Sequence, residues 1–205
     1  MSALPKTPVS IAGPSRRAFL ISAALLAAPA RAAPASPAWP AKLLAAAEAQ
    51  VGVTMAYDPA YTRLSYPGGD VSRAKGVCTD VIIRAYRDAF GVDLQALVHV
   101  DMAAHFAAYP RRWGLPDTDA NIDHRRVLNL QVFFKRFGIT APLTQNAADY
   151  QTGDLVTSLL PGNLPHIMLV RAAPQVVHNI GGGARIEERL FEFPLTGHFR
   201  YSPPA

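Results

Sequence analysis

The 205-residue chain has one cysteine and two tryptophans, and only 17% of its residues are charged. A single thiol, Cys78, cannot form an intramolecular disulfide, so cross-linking is not what that residue does. Six histidines are present, but no His-Glu-x-x-His or Cys-x-x-Cys spacing, which leaves no common zinc framework. No uncharged apolar run reaches the roughly 20 residues that a membrane-spanning helix needs. The first 35 positions hold no acidic residue, and that absence distorts the overall charge. Lys6, Arg16, Arg17 and Arg31 lie there, so a net charge of +5 becomes sixteen basic against fifteen acidic residues in the remainder. Net charge therefore gives no support to a nucleic-acid partner.

The acid-free segment has its own pattern. Ser15-Arg16-Arg17-Ala18-Phe19-Leu20 reads as a twin-arginine export signal. An Ala/Leu-rich run over 18–30 follows, with cleavage candidates Ala28-Pro29-Ala30 and Ala33-Pro34-Ala35. Residues 1–35 are expected to be removed on export to the periplasm, leaving 36–205 as one domain; a disordered basic tail is the competing reading. The Ala/Pro stretch 32–40 reads as a linker. About 170 residues, half of them apolar, are enough for one full core.

Periodicity divides that domain into a helical half and a strand half. Helices are expected over 42–50, from about 77 to 89, over 101–109 and over 123–137. In the second of these Val77, Val81, Ile82, Ala85 and Ala89 share a face and Gly91 is the stop; in the last, Val127, Leu130, Phe133, Phe134 and Phe137 do so, with Gly138 as stop. After Gly153 the period changes, and strands are expected over 154–160, 166–172, 175–179 and 185–193. Helices first and strands later imply an α+β fold, an antiparallel sheet with helices packed on one side.

Cys78 falls at the junction between the Gly-rich stretch Tyr66-Pro67-Gly68-Gly69-Asp70, the sequence Gly76-Val77-Cys78-Thr79-Asp80 and the helix. A helix N-terminus favours thiolate, the nucleophilic form. The bland alternative is a small buried hydrophobe. His166 opens the strand His166-Ile167-Met168-Leu169-Val170, and His178 ends Gln175-Val176-Val177-His178. A hairpin turning near Ala173-Pro174 pairs Val170 with about Val176 and lets the two imidazoles touch. A base oriented by a third polar group is the usual logic of an activated nucleophile.

Tyr66-x-Gly68-Gly69, Gly76-Val77-Cys78-Thr79-Asp80, Gly153-Asp154-Leu155-Val156, His166-Ile167 and Val177-His178 together resemble the NlpC-type papain-like cysteine hydrolases, which are cell-wall peptidases and amidases. The segments Asn121-Ile122-Asp123-His124-Arg125-Arg126, His178-Asn179-Ile180-Gly181 and Gly197-His198-Phe199-Arg200-Tyr201 are closer still to a bacterial family catalogued as domain of unknown function 1287. The resemblance implies a papain-like fold, Cys78 as nucleophile, His166 as general base and acid, and His178 as its orienting residue. It also implies that Tyr66 helps the Cys78 N–H to hold an oxyanion, with Thr79, Asp80, Asp123, His124 and Arg125 on the oxyanion or substrate side. The activity implied is that of an exported thiol hydrolase, a monomer without cofactor or metal, acting on an amide bond in peptidoglycan peptide. A non-catalytic peptidoglycan- or partner-binding module, and an acyltransferase or lipid esterase, are the alternatives.

The chain also departs from that pattern. Thr79-Asp80 stands where compact relatives have Ser-Gly, and Asp80 disfavours a thiolate unless it points away or pairs with a cation. Cys78 and His166 are 88 positions apart, with the surplus in a helical region over 94–151. Arg111-Arg112 and Arg125-Arg126 read first as solvated charges, second as an anion-binding rim for muramyl peptide carboxylates. Asp123-His124 reads as a capping pair and Gly181-Gly182-Gly183 as a turn.

Overall fold

The computed structural model describes Met1 and residues 38–203; the twin-arginine motif, the apolar run, both cleavage candidates and most of the expected linker lie outside the described residues. The first helix, α1 (Trp39–Glu48), begins three residues earlier than periodicity suggested, because Pro40 sits at its first turn, where the missing N–H costs nothing. Two short strands, β1 (Ala56–Tyr57) and β2 (Lys75–Gly76), pair in parallel and bring the irregular stretch back beside its own end.

Helix α2 (Cys78–Phe90) follows at once. Residues 78–86 are buried all round, so this is an interior helix rather than an amphipathic surface one. Its end is set by Gly91 at φ +68°, whose N–H closes on the Arg87 carbonyl. Helix α3 (Leu94–Ala104) starts seven residues before the expected 101, because the Asp93 carboxylate caps it by accepting the Gln95 N–H. A 3-10 turn over Phe106–Ala108 takes up most of the rest of that expected helix. The 123–137 segment is also divided. Asp123–Arg125 is a 3-10 turn, Arg126 is extended, and α4 (Val127–Phe137) carries the apolar face.

The remaining strands are β3 (Ile139–Thr140), β4 (Leu155–Leu160), β5 (Leu164–Ala172), β6 (Gln175–Asn179), β7 (Ala184–Glu187) and β8 (Leu195–Arg200). They form one sheet in the order β3-β8-β4-β5-β6-β7, antiparallel throughout. The expected strand over 185–193 stops at Glu187, and β8, which no run of alternation announced, pairs with β4. Alternate residues of the central strands face the helices: Leu155, Ile167, Leu169, Val177 and Phe199 pack with Val81, Ile82, Tyr86, Leu130 and Phe134. Their neighbours Val156, Met168, Val170 and Val176 pack on the opposite face beneath Tyr150 and Leu190, which loops supply. The fold is thus α+β, with helices on one face of the sheet and irregular chain sealing the other.

Candidate active site

The loop leading into Cys78 is held from beneath. Arg84, on α2 and wholly buried, donates to both Asp70 carboxylate oxygens, to Thr54 Oγ1 and to the carbonyls of Val71, Ser72 and Lys75. One guanidinium therefore fixes most of the turn that delivers the cysteine. At the helix start the Asp80 carboxylate reaches back to accept the Val77 N–H at 2.7 Å, as in a capping box.

Asp80 is paired twice more: Arg125 donates Nε to Oδ1 and Nη2 to Oδ2, both at 2.9 Å. The side chains are 2% and 4% exposed, so Arg125 is an interior charge and not the solvated one expected. It supplies the cation that the Thr79-Asp80 departure required. Thr79 is turned inward, its hydroxyl donating to the Arg125 carbonyl. Arg126 is different again, its guanidinium 4.1 Å above the Trp113 ring and its Nη1 3.3 Å from Asp123.

Cys78 is 3% exposed and floors a cleft of about 290 Å³ walled by Tyr57, Arg112, Trp113, Ile122, Arg125 and Leu128. Burial pushes its thiol up to about 11 and Asp80 adds to the rise, while the backbone at Ile167, Thr79 and Cys78 pulls the other way. The resting group is a neutral thiol, not the thiolate that a helix N-terminus alone would favour. The ladder between β5 and β6 runs from Ala172–Gln175 to Leu169–Val177, and β5 continues beyond it through Ile167 toward the cleft.

His166 is next along that strand. Its Nε2 lies 2.9 Å from His178 Nδ1, the rings edge to face with centroids 5.1 Å apart. The pairing of Val170 with Val176 across the 173–174 turn is the register the sequence predicted. Burial, with the neighbouring His178 second, drives the His166 imidazole down to about 3, and burial also lowers His178. Both rings are neutral at neutral pH. A second hollow of about 220 Å³ touches His166 and shares Tyr57, Leu164 and Pro165 with the cleft over Cys78. Among the described residues the sulfur makes no hydrogen bond with His166, whose Nε2 is engaged by His178.

Of the residues assigned to oxyanion or substrate contact, only Arg125 lines the cleft. Tyr66 lies edge-on to His99, ring centroids 5.0 Å apart, and is not among the residues lining the cleft over Cys78. Tyr57 is the tyrosine beside the thiol. Burial raises its phenol to about 12, and the neighbouring Cys78 and Asp80 act in the same direction. The parallel β1–β2 pairing places Tyr57 opposite Gly76, two residues before Cys78. Asp123 and His124 are buried behind the cleft. Asp123 accepts the Asp119 N–H, a local turn contact, while burial lowers His124 to about 4 and its Nδ1 has no hydrogen-bond partner among the described residues. Glu187 was not singled out by any motif, and its Oε2 lies 2.9 Å from His178 Nε2. Among the described residues no group of three or more His, Cys, Asp or Glu can hold a metal ion, and no helix is long and apolar enough to cross a membrane.

The family described as "Domain of unknown function (DUF1287)" matches residues 44–201. The "Uncharacterized protein YijF" of Escherichia coli (strain K12) is 51% identical over 161 residues, 76% of this chain and 78% of that one. Among solved structures, the NlpC/p60 domain of peptidoglycan hydrolase SagA overlaps 78% of this chain and 97% of its own at 13% identity and a TM-score of 0.43. NlpC1 from Trichomonas vaginalis overlaps 76% of this chain and 42% of its own, with 13% identity and a TM-score of 0.37.

Proposed function

The chain belongs to the DUF1287 family, and for it we propose a thiol hydrolase that cleaves an amide bond in peptidoglycan peptide. The observation that carries the reading is the position of Cys78: a lone cysteine at the first turn of an interior helix, open to a cleft that Leu164 and Pro165 also line, the strand residues leading directly to a His166–His178 pair.

Because thiol and imidazole are both neutral at rest, the step proposed is a coupled one. As a substrate carbonyl approaches, His166 takes the proton from Sγ while sulfur bonds to the carbonyl carbon. The Cys78 N–H and the Tyr57 hydroxyl stabilise the oxyanion. His166 then returns the proton to the amine as the C–N bond breaks, and water hydrolyses the thioester. The step requires the His166 ring and the sulfur to come within hydrogen-bond reach in the substrate complex. Arg112, on the cleft wall and exposed, suits a substrate carrying carboxylates, as cell-wall peptides do. The same proposal includes export by the twin-arginine route, removal of residues 1–35, a mature domain of 36–205 in the periplasm, and action as a monomer.

The elevated thiol favours one other reading, a peptidoglycan-binding module with an idle cysteine. Incubating purified peptidoglycan with the mature domain, followed by mass spectrometry of soluble fragments, separates the two. New amine termini that disappear with Cys78→Ala support the hydrolase; retention on peptidoglycan without fragments refutes it.

A further inference from the structure

We infer that Glu187 is a positioning residue that sets the tautomers of His178 and His166 and so makes Nδ1 of His166 the nitrogen that receives a proton. For its effect on rate this rests on the catalytic reading of Cys78 and His166; the tautomers themselves do not.

An ionised carboxylate only accepts hydrogen bonds. Its Oε2 is 2.9 Å from His178 Nε2, so that nitrogen carries the hydrogen. A neutral imidazole carries one N–H, and His178 Nδ1 is left as an acceptor. The group facing it at 2.9 Å is His166 Nε2, which must then be the donor. His166 in turn has its lone pair on Nδ1. The chain of bonds has a single consistent direction, and the carboxylate imposes it. Without Glu187 the two rings satisfy one another equally well the other way round, with hydrogen on Nδ1 of both and the base nitrogen of His166 blocked.

The surroundings hold Glu187 to this task. Val176 and Glu187 are opposite one another in the β6–β7 ladder, so Glu187 and His178 project from the same face of the sheet. Arg189 Nε lies 3.2 Å from the same Oε2, and Arg189 also grips Glu192 at 2.9 Å, which fixes the carboxylate from the outer side. Opposite it, His178 is 1% exposed and the carboxylate 26%. When His166 takes up a proton, its Nε2–H already points at His178, whose far side meets a negative charge. The arrangement stabilises that imidazolium without any atom having to move.

The test needs no substrate for its first arm. In full-length protein labelled with nitrogen-15 in its histidine rings, NMR at neutral pH should find hydrogen on Nε2 of both His166 and His178. Glu187→Leu should move it to Nδ1 of both and lower turnover tenfold or more. Glu187→Gln, whose amide oxygen can still accept, should keep the wild-type tautomers. Hydrogen on Nδ1 of His178 in the wild type, or unchanged tautomers in a folded Leu variant, would overturn the inference. If the Leu variant does not fold, the wild-type and Gln spectra decide by the same criterion. Tautomers as described in a protein that leaves peptidoglycan uncut would uphold the relay and overturn the hydrolase.

Discussion

Removing Arg125 gives the sharpest test of how the cysteine is held. Arg125→Met preserves much of the side-chain volume but leaves the Asp80 carboxylate buried, with the Val77 N–H as its remaining partner of the three described. An exposed ion pair contributes about 0–1 kcal/mol, and this one would matter little if it lay at the surface. With side chains only 2% and 4% exposed, loss of one partner should cost about 3–5 kcal/mol. For a domain of this size each kcal/mol moves the Tm by about 2–4 °C, so a fall of roughly 6–20 °C is expected. Urea unfolding of four proteins closes the cycle: wild type, Arg125→Met, Asp80→Asn and the double variant. Asn keeps an oxygen for the Val77 N–H without the charge, so the double variant should recover most of the loss, giving a coupling energy above about 2 kcal/mol. A cost under about 1 kcal/mol for Arg125→Met, with no recovery in the double variant, would refute the argument that this pair anchors the helix start.

Cys78→Ala and His166→Ala should each abolish hydrolysis with folding retained, since such groups act as a unit, whereas His178→Ala should lose about 10- to 1000-fold; a harmless His178→Ala in the fragment assay would break the ranking. Tyr57→Phe should lower kcat by about 100- to 1000-fold if its hydroxyl holds the oxyanion, and Tyr66→Phe should not change it; the reverse result would restore the sequence-based assignment. His166 and His124 titrate in the folded state at about 3 and about 4, below the ordinary value near 6.5, so the unfolded chain binds their protons first. Their contribution to stability is complete above about pH 6.5 and is lost as pH falls toward 4 and then 3; urea midpoints that do not fall over that window would contradict the burial argument. Arg16→Lys with Arg17→Lys should hold the precursor in the cytoplasm, as seen by fractionation, because export by this route reads paired guanidinium groups.

The hairpin of β5 and β6 was legible because its register follows from a short turn and two apolar runs, and that register brings His166 to His178. The α2 start was legible too, since a Gly-rich turn meets a helical period at Cys78. Other parts were not. Tyr57 and Tyr66 both precede the cysteine, and what separates them is a two-residue parallel bridge too short to leave any periodicity. Arg84 is not one of the apolar positions of its helix, yet it is interior because the preceding loop offers it carbonyls and a carboxylate instead of water. Glu187 is the last residue of a short strand, followed by a second glutamate, and acquires its meaning only from the strand beside it. β8 escaped notice because Gly197 interrupts its pattern and because it joins the sheet through β4, far away in sequence.

The buried amide of Asn179 donates to the Gly76 carbonyl at 3.0 Å and faces that of Ala56 at 3.4 Å, across 103 and 123 positions of chain. It ties the end of the histidine strand to the turn that presents the cysteine. Contacts between such distant positions close late, after local helices and hairpins have formed. Any chemistry that sulfur and imidazole share therefore depends on the native topology that brings these distant segments together. Recovery of activity on refolding would then follow the slowest step of tertiary docking rather than the return of helix signal, which makes the site its own clock for completion of the fold.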